Sequence, residues 1–534
     1  MNIKKKQYIF YFLAILILGS FFYLYNYLNI HNGSQPLIFN SPDETANYFF
    51  TENFAENNDL QKESSLLLIN PDVKPRSIRT TNDQLVLNSF IGLPLIYGSM
   101  AKILGTNIVI YLTSFMAIIS VIFFYLFIKE IFNKKIALLS GLLLLMLPSY
   151  WYFANRGMMH NILFIDLFIV SLYFLVMSLK KAKILYYLLC GLFLGLALIT
   201  RTSEFIWMAL IYIILIIIYR KKINWKKLIL GILIFLLCLI PLFYFNQQNY
   251  GASTASPYLE NNISKPTLNS MSKIILPFGF HPNNIRFTIY NFIFKLPWWY
   301  TILILGALIL LIIKRKQIKK EYWLYFGLWG LVSLFLFIYY GSWLFFDNPN
   351  PNSVTIGSSY LRYLLPYFVF ALPLIAWLLT KIRFSKKWLN NFIIASILAF
   401  IFLNSYLITM SCPEEGIIKI SQDLKNYQYR TRLIINNTEI DSVIITNRAD
   451  KYIFPYRNIL HWKEKIYNYN KFDSLLKENI PVYYFGFQFS AIDIEKIKLQ
   501  FYQQGLDISS PIFTAGDHAL YKIKAINQIY ALGK

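Results

Sequence analysis

The chain has 534 residues, of which 56% are hydrophobic, 18% are aromatic and only 15% are charged. A water-soluble protein of this length could not bury so much apolar surface, so the composition excludes a soluble fold and favours a membrane protein. The formal charge of +24 would suggest nucleic-acid binding in a soluble protein, but nearly half of the Lys and Arg residues lie in six short clusters between apolar segments. We therefore expect membrane lipids as partners, and no nucleic acid.

Apolar segments of roughly 17–22 residues, the length that crosses about 30 Å of hydrocarbon, recur along the chain. We predict eleven spans, near 7–29, 107–128, 136–154, 161–179, 184–200, 204–219, 228–245, 299–313, 322–340, 360–380 and 388–408. The core at 299–313 is short, and we expect its helix to begin at Trp298. The segment 88–105 is also apolar, but counting it as a span would place the later basic clusters outside. We interpret it as an interfacial or re-entrant helix.

The six basic clusters determine the predicted topology. They occupy residues 4–6, 129–135, 180–183, 220–227, 314–320 and 381–387. With eleven spans and a cytoplasmic N-terminus, every cluster falls on the cytoplasmic side, as the positive-inside rule requires. The predicted fold is therefore a multi-span α-helical protein of the plasma membrane, with its N-terminus inside and its C-terminus outside.

This topology divides the chain into a transmembrane module at 1–410 and an exoplasmic tail at 411–534. Within the module we expect exoplasmic loops at about 30–106, 246–297 and 341–359. The tail has ordinary polarity and is typical of a small α/β domain. Its predicted elements are strands at 442–446, 481–485 and 519–523 and a helix at 491–505. It contains no glycine-rich phosphate loop, so we expect a binding or structural role.

An acidic pair, Asp43 and Glu44, lies just beyond the first span. Ser41 and Glu44 have the spacing of a capping box with Pro42 at the first helical position, so the pair could simply begin a helix. A catalytic interpretation is compatible with this one, because a capped helix would hold Asp43 rigidly at the membrane surface. A carboxylate placed there can act as general base on an acceptor hydroxyl.

Basic residues are few on the predicted outer side. Those at or near the exoplasmic interface are Arg76, Arg79, Arg156, Arg201, Arg286, Lys295 and Arg362. Contact with lipid headgroups would explain each of them individually. Alternatively they form a cradle for a lipid phosphate, whose oxygens suit the planar guanidinium. Arg362 is the strongest candidate, because it opens a span that faces the proposed site.

Other ionisable residues lie near or within the spans. Asp166 falls inside the fourth span, where an ionisable group is expensive and often functional. It could equally be a structural partner of Arg156 or of a neighbouring Asn. Arg201 and Glu204 lie between spans five and six, and we expect them to form a local ion pair.

The five histidines all fall on the predicted outer side, and their wide spacing gives no metal signature. His160 and His281 are nevertheless candidates for contact with substrate, because each follows a span end or flanks the central cavity. No metal site and no cofactor is indicated, although a divalent metal stays open.

Four local features occur in a recognisable order. They are Pro42-Asp43-Glu44 with Tyr48 after span one, the stretch Phe90–Gly98 before span two, Leu147-Pro148 leading to Asn155-Arg156, and Arg362–Pro366. Together they resemble GT-C class, lipid-sugar-dependent glycosyltransferases, in the branch of protein O-mannosyltransferases and aminoarabinose transferases. The likeness covers about residues 1–410, and the tail resembles the small soluble domain that many members have.

The resemblance implies transfer of a sugar, usually with inversion, from a polyprenyl-phosphate donor at the exoplasmic face. The acceptor would be a glycan, lipid or protein with a hydroxyl or an amine. By the family pattern Asp43 would be the base and Glu44 its support, while Arg362 and Arg79 would neutralise the departing lipid phosphate. The other candidates for donor or phosphate contact are Tyr363, Arg76, Arg156, His160, Arg201 and His281.

One departure from the family concerns a second acidic residue, which many members place shortly after the Arg that follows span three. This chain has Met158-Met159-His160-Asn161 there. A role for a second exoplasmic carboxylate, or for a metal bound by two acids, is therefore not carried over.

Two other functions fit a multi-span protein of this kind. A polysaccharide polymerase or O-antigen-ligase-type enzyme also uses lipid-linked sugars, but such proteins usually have a large Arg-rich loop between later spans and no acidic pair after span one. A lipid or polysaccharide transporter (flippase) would be expected to show internal repeats and charges near the middle of the membrane. We find no repeat, so the sequence favours the glycosyltransferase.

Overall fold

The computed structural model describes the chain in five stretches, 3–255, 276–345, 353–382, 384–462 and 472–526. These form two compact units, which we treat separately. The first unit comprises Met1–His31, Asn107–Tyr244 and Leu259–Ile420, and the second comprises Asn32–Thr106, Phe245–Tyr258 and Ser421–Lys534. Parts of the predicted loops at 246–297 and 341–359 lie outside the described residues.

Helices dominate the chain. In order they are Ile3–Tyr25, Tyr27–Asn32, Pro42–Asn57, Leu66–Ile69, Gly92–Leu104, Val109–Ile131, Lys134–Leu145, Pro148–Asn155, His160–Lys181, Ile184–Thr200, Phe205–Tyr219, Trp225–Tyr250, Pro282–Ile289, Trp298–Ile313, Lys320–Tyr339, Ser359–Tyr363, Leu365–Thr380, Lys387–Thr409, Ile417–Asn437, Asp450–Ile453, Asp473–Lys477 and Ala491–Gln503. Short 3-10 turns lie at Thr106–Ile108, Thr202–Glu204 and Arg315–Gln317, and Tyr290–Lys295 is a π-helix.

Among the described residues, seven helices are long and apolar enough to cross a membrane, or up to nine if each of two bent pairs is one span. Two further predicted spans coincide with the shorter apolar helices Ile184–Thr200 and Leu365–Thr380. The helix expected to begin at Trp298 does so. The chain is thus a multi-pass helical membrane protein.

The two bent pairs have identifiable causes. Lys134–Leu145 and Pro148–Asn155 meet at 51°, because Pro148 cannot continue the first helix and instead occupies the first turn of the second. Pro282–Lys295 and Trp298–Ile313 meet at 94°, where a π-helical turn is followed by Pro297. The first bend leaves the apolar character of the segment largely unchanged, so hydrophobic periodicity alone could not locate it.

In the first unit, helices Ile184–Thr200 and Trp225–Tyr250 approach each other closely. A Cβ on Gly191 would overlap the carbonyl oxygen of Gly231 on the other helix. A Cβ on Gly195 would lie 2.6 Å from the Cβ of Cys238, closer than side-chain atoms tolerate. This spacing of small residues is the pattern that lets membrane helices bring their backbones together.

The second unit contains two sheets. Gln61–Glu63, Gln84–Leu87 and Ile78–Thr81 form an antiparallel sheet in that spatial order. The larger, mixed sheet has the order Asn458–His461, Val443–Thr446, Val482–Phe487, His518–Ala525 and Leu506–Ile508, with Phe513–Ala515 also paired to His518–Ala525. Its first two pairings are parallel and the others antiparallel. The strands and helix predicted for the tail all form.

Also in the second unit, Pro42–Asn57 and Gly92–Leu104 pack against each other at Gly98. A Cβ at this position would lie 2.8 Å from Cδ1 of Phe54 and 3.0 Å from the backbone oxygen of Thr51. The apolar segment predicted at 88–105 is therefore a helix, and it supports the helix that begins with the acidic pair.

Gly191→Leu should destabilise the first unit, because the new side chain must separate two backbones that touch. Overpacking of a well-packed site typically costs about 1–3 kcal/mol. We expect a lower midpoint of thermal unfolding in detergent, measured by tryptophan fluorescence. Gly330→Leu is the matched control, since nothing lies within 4 Å of its Cβ position. Equal midpoints of thermal unfolding for the two variants would contradict the close approach of the two helices at Gly191.

Candidate functional site

The acidic pair begins a capped helix in the second unit. Ser41 is the N-cap, and its hydroxyl accepts a hydrogen bond of 3.2 Å from the backbone N–H of Asp43, with Pro42 at the first helical position. Asp43 is half-buried, whereas Glu44 is only 2% exposed. The predicted cap is confirmed, and it presents one partly accessible carboxylate and one buried one.

The carboxylate of Asp43 is oriented by a residue that the sequence did not suggest. Ser77 donates from its hydroxyl to Oδ1 of Asp43 over 2.6 Å. The backbone of Ser77 has a φ of 62°, a left-handed conformation that few non-glycine residues adopt. Such strained positions often occur at functional sites. Nothing in the local sequence around position 77 indicates this contact, because its partner lies 34 residues away.

The residue before Ser77 is fixed by an ion pair. Arg76 donates to the carboxylate of Asp450 from Nη2 at 2.6 Å, from Nε at 3.0 and 3.1 Å, and from its backbone N–H at 2.9 Å. Asp450 is fully buried, so its charge requires this compensation. Arg76 thereby joins the first loop to the tail within the second unit, which gives it a structural function.

Two further cations lie in the same segment as Ser77. Lys74 donates to Oγ1 of Thr80 over 3.0 Å, and Arg79 lies on the neighbouring strand. Burial lowers the pKa of Lys74, and the positive charge of Arg79 adds to that effect against the opposing influence of Asp72. The segment thus places Lys74 and Arg79 near enough to influence each other, with Asp72 as an opposing charge.

In the first unit, Arg362 lies in the short helix before Leu365–Thr380. Its Nε and Nη2 donate to Oγ of Ser359 over 3.1 and 2.8 Å, and Nη1 lies 3.2 Å from the sulfur of Met159. Asn161 donates to the backbone oxygen of Arg362 over 3.2 Å. These contacts hold a half-buried guanidinium in a single orientation, and they bring it beside the segment Met158–Asn161.

Tyr363 is enclosed by cations and rings. The guanidinium carbon of Arg201 lies 4.7 Å from its ring centroid and that of Arg362 lies 5.2 Å away, while Tyr340 stacks on it at 4.6 Å. Phe345 is stacked at 5.0 Å. Cation–π contacts of this kind stabilise a guanidinium most where water is excluded.

Arg201 and Glu204 form the predicted ion pair. Nη2 and Nε of Arg201 donate to Oε1 of Glu204 over 2.7 and 2.9 Å, and both side chains are almost fully buried. The hydroxyl of Tyr340 donates to the same oxygen over 2.5 Å, and Nε1 of Trp207 donates to Oε2 over 2.6 Å. With so many donors, the pair is a fixed support for the ring of Tyr363.

A third arginine of the first unit, Arg156, lies in a polar group at the end of helix Pro148–Asn155. It is 5% exposed, and its Nη1 donates to the hydroxyl of Tyr152 over 3.1 Å. A Cβ at Gly357 would lie 2.7 Å from that hydroxyl and 2.5 Å from Oε2 of Glu415, which also accepts a hydrogen bond from Thr355. The sequence did not indicate Glu415, because it lies some 260 residues beyond Arg156.

The two candidate histidines have different surroundings in the first unit. His160 begins helix His160–Lys181 and is 6% exposed, next to Asn161, which contacts Arg362. His281 is exposed, and its backbone N–H donates to Oγ of Ser342 over 3.3 Å. His160 thus lies next to a residue that contacts Arg362, whereas His281 contacts Ser342, two residues beyond Tyr340.

Asp166 is fully buried, and the hydroxyl of Tyr150 donates to its Oδ1 over 2.6 Å. The same hydroxyl lies 3.0 Å from the backbone oxygen of Ala117. The hydrogen-bond partner of Asp166 is thus a tyrosine of the neighbouring helix, and not Arg156 or an asparagine. Within the residues that the structure describes, no three His, Cys, Asp or Glu side chains are close enough to hold a metal ion.

The geometry can be compared with that of known proteins. A family model described as dolichyl-phosphate-mannose-protein mannosyltransferase matches residues 91–245, less than a third of the chain. The architecture is the GT-C fold, and the comparisons confirm the resemblance to GT-C class glycosyltransferases that use polyprenyl-phosphate sugars.

Two solved structures illustrate the likeness. ArnT from Cupriavidus metallidurans bound to undecaprenyl phosphate is 11% identical, with a TM-score of 0.57 over 96% of this chain and 98% of ArnT. The oligosaccharyltransferase AglB from Archaeoglobus fulgidus, in complex with an inhibitory peptide and a dolichol-phosphate, is 10% identical, with a TM-score of 0.57 over 94% of this chain and 71% of AglB. At these identities the likeness concerns the fold alone. No curated protein matches the sequence.

Glu204→Gln should lower stability strongly, because it leaves the buried charge of Arg201 without its carboxylate. Breaking a buried ion pair typically costs about 3–5 kcal/mol. The control is Glu130→Gln, whose pair with Lys180 is largely exposed, so we expect about 0–1 kcal/mol there. Thermal unfolding midpoints in one detergent would show the ranking. A larger loss for Glu130→Gln would mean that the Arg201 pair is not a main support of this cluster.

Proposed function

We propose that the protein transfers a sugar from a polyprenyl-phosphate donor to an acceptor hydroxyl or amine at the exoplasmic face of the plasma membrane. Asp43 is the general base, and the configuration of the sugar is inverted. The observation that supports this most directly is the fixed carboxylate of Asp43, at the start of a capped helix and hydrogen-bonded to Ser77. A base must be held within reach of the proton that it removes, and a capped helix start provides that rigidity.

The environment of Asp43 suits a base. The N-terminus of helix Pro42–Asn57 stabilises negative charge, which favours the ionised carboxylate. Ser77 fixes the position of Oδ1, so the plane of the carboxylate is defined. We assign a supporting role to Glu44, since its side chain is buried. The positive residues Lys74 and Arg79 in the same unit would favour an anionic substrate group.

When the lipid phosphate departs, its negative charge needs to be stabilised more than it needs to be protonated. A phosphate leaving group retains its negative charge, and a fixed guanidinium is the side chain best suited to it. We therefore assign phosphate binding to Arg362, with Arg156 and His160 as its neighbours in the first unit. The guanidinium of Arg362 is already oriented by Ser359, so little conformational entropy would be lost on binding.

The remaining candidates have less direct roles in this proposal. Arg201 supports the ring of Tyr363, and Arg76 anchors the segment that orients Asp43. His281 is assigned to the acceptor or sugar, because it is exposed. The relatives with undecaprenyl phosphate or dolichol-phosphate bound support a polyprenyl-phosphate donor for this fold.

Asp43→Asn should reduce transfer by about 10²–10⁴-fold, the usual contribution of a general base, while donor binding stays within a factor of two or so. The transfer rate would be measured as release of polyprenyl phosphate from a panel of polyprenyl-phosphate sugars, with a membrane extract as the source of acceptor. Asp83→Asn makes the same chemical change at an exposed turn of the second unit and should retain activity. Wild-type turnover by Asp43→Asn would overturn the assignment of the base.

Arg362→Ala should weaken donor binding as well as turnover, because the phosphate is bound in the ground state and gains charge in the transition state. Hydrogen bonds to charged groups contribute about 1.5–3 kcal/mol, which corresponds to roughly 10–150-fold in affinity. Binding of polyprenyl phosphate by the purified protein would be measured directly. Arg315→Ala, in an exposed turn just after the C-terminal end of helix Trp298–Ile313, should leave the affinity for polyprenyl phosphate unchanged. Equal losses for both variants would contradict a specific phosphate contact.

A further inference from the structure

A cavity of about 480 Å³ in the first unit is lined by none of the residues assigned to the candidate site. Its walls come from five helices, Val109–Ile131, His160–Lys181, Phe205–Tyr219, Lys320–Tyr339 and Leu365–Thr380. The interior is apolar, with side chains such as Phe168, Leu172, Ile211, Leu215, Val332 and Phe370. Its size is in the range of sites that hold a small molecule, roughly 300–1,000 Å³.

The mouth of the cavity lies far from Arg201 and Arg362, the arginines around Tyr363. Helix His160–Lys181 begins at the candidate His160 and ends with Lys180 at the mouth, and 22 helical residues span roughly 30 Å. Likewise, helix Lys320–Tyr339 begins beside the mouth and ends next to Tyr340, which contacts Arg201. The charged mouth of the cavity therefore lies at the ends of these two helices that are opposite to His160 and Tyr340, on the side predicted to be cytoplasmic.

The charges at the mouth are unequal. Lys180 is paired with Glu130, since its Nζ lies 2.9 Å from the carboxylate. Of the other charged side chains that line the mouth, Lys222 and Lys319 are positive and only Glu321 is negative, and all three are exposed. An apolar chamber below an excess of positive charge suits an amphiphile whose head is anionic.

We propose that this cavity binds one anionic phospholipid, with an acyl chain among the apolar side chains and the phosphate between Lys222 and Lys319. Lysines next to a membrane-spanning helix attract the anionic lipids of the cytoplasmic leaflet. A polyprenyl-phosphate donor would place its phosphate at Arg362, at the other end of the helices. The site is thus separate from the proposed chemistry and does not depend on it.

The test is native mass spectrometry of the full chain after delipidation, with phosphatidylglycerol or phosphatidylcholine of the same acyl chains added back. We expect one phosphatidylglycerol to be retained, and no phosphatidylcholine. The double variant Lys222→Glu with Lys319→Glu should lower retention at least fivefold. Lys226→Glu with Lys316→Glu, which changes the same basic clusters outside the cavity, should not.

A second variant tests the chamber itself. Val176→Trp places a large ring in the lining and should abolish retention although both lysines remain, whereas Ile309→Trp on an exposed helix face should not. If Val176→Trp does not fold, the two charge-reversal pairs decide. Equal retention of the two lipids, equal loss in both charge-reversal pairs, or displacement of phosphatidylglycerol by equimolar polyprenyl phosphate would each overturn the proposal.

Discussion

Two guanidinium groups share one tyrosine ring in the first unit, and both must remain charged where little water reaches them. The guanidinium carbons of Arg201 and Arg362 lie 4.7 and 5.2 Å from the centroid of Tyr363. Like charges repel strongly in a medium of low dielectric constant, so this arrangement needs a nearby anion. Glu204 provides it by accepting hydrogen bonds from Arg201, and its other donors keep it in place.

The second unit also contains a buried ion pair, which there fixes the backbone of a loop. Arg76 and the buried Asp450 fix the segment of the first loop that contains Ser77, and that segment adopts a left-handed backbone at the next residue. As a result a serine hydroxyl lies 2.6 Å from the carboxylate of Asp43. In both units, a buried charge pair fixes the position of a candidate site residue.

The sequence predicted features that depend on near neighbours. Ser41 caps its helix through a contact only two residues along the chain, and the strands of the tail followed from short runs of β-branched and aromatic residues. The spans followed from length and hydropathy, whereas the bends within them did not. Contacts such as that of Thr355 with Glu415 join residues far apart in the chain, and no local pattern encodes them. Ser359 is the exception among the site residues missed, since its spacing of three from Arg362 on a helix could have indicated the contact.

The pairing of Arg76 with Asp450 also has a consequence for biosynthesis. The two residues are 374 positions apart, and at roughly 5–20 residues per second a ribosome needs on the order of 20–75 seconds to make the intervening chain. During that interval the first loop lacks the partner that fixes it, as well as the tail helix whose Gln428 binds the backbone at Asn32 and Ser34. Helix Pro42–Asn57 therefore acquires its final surroundings only when translation is nearly complete. Before then, a nascent chain should not hold the carboxylate of Asp43 in its final position.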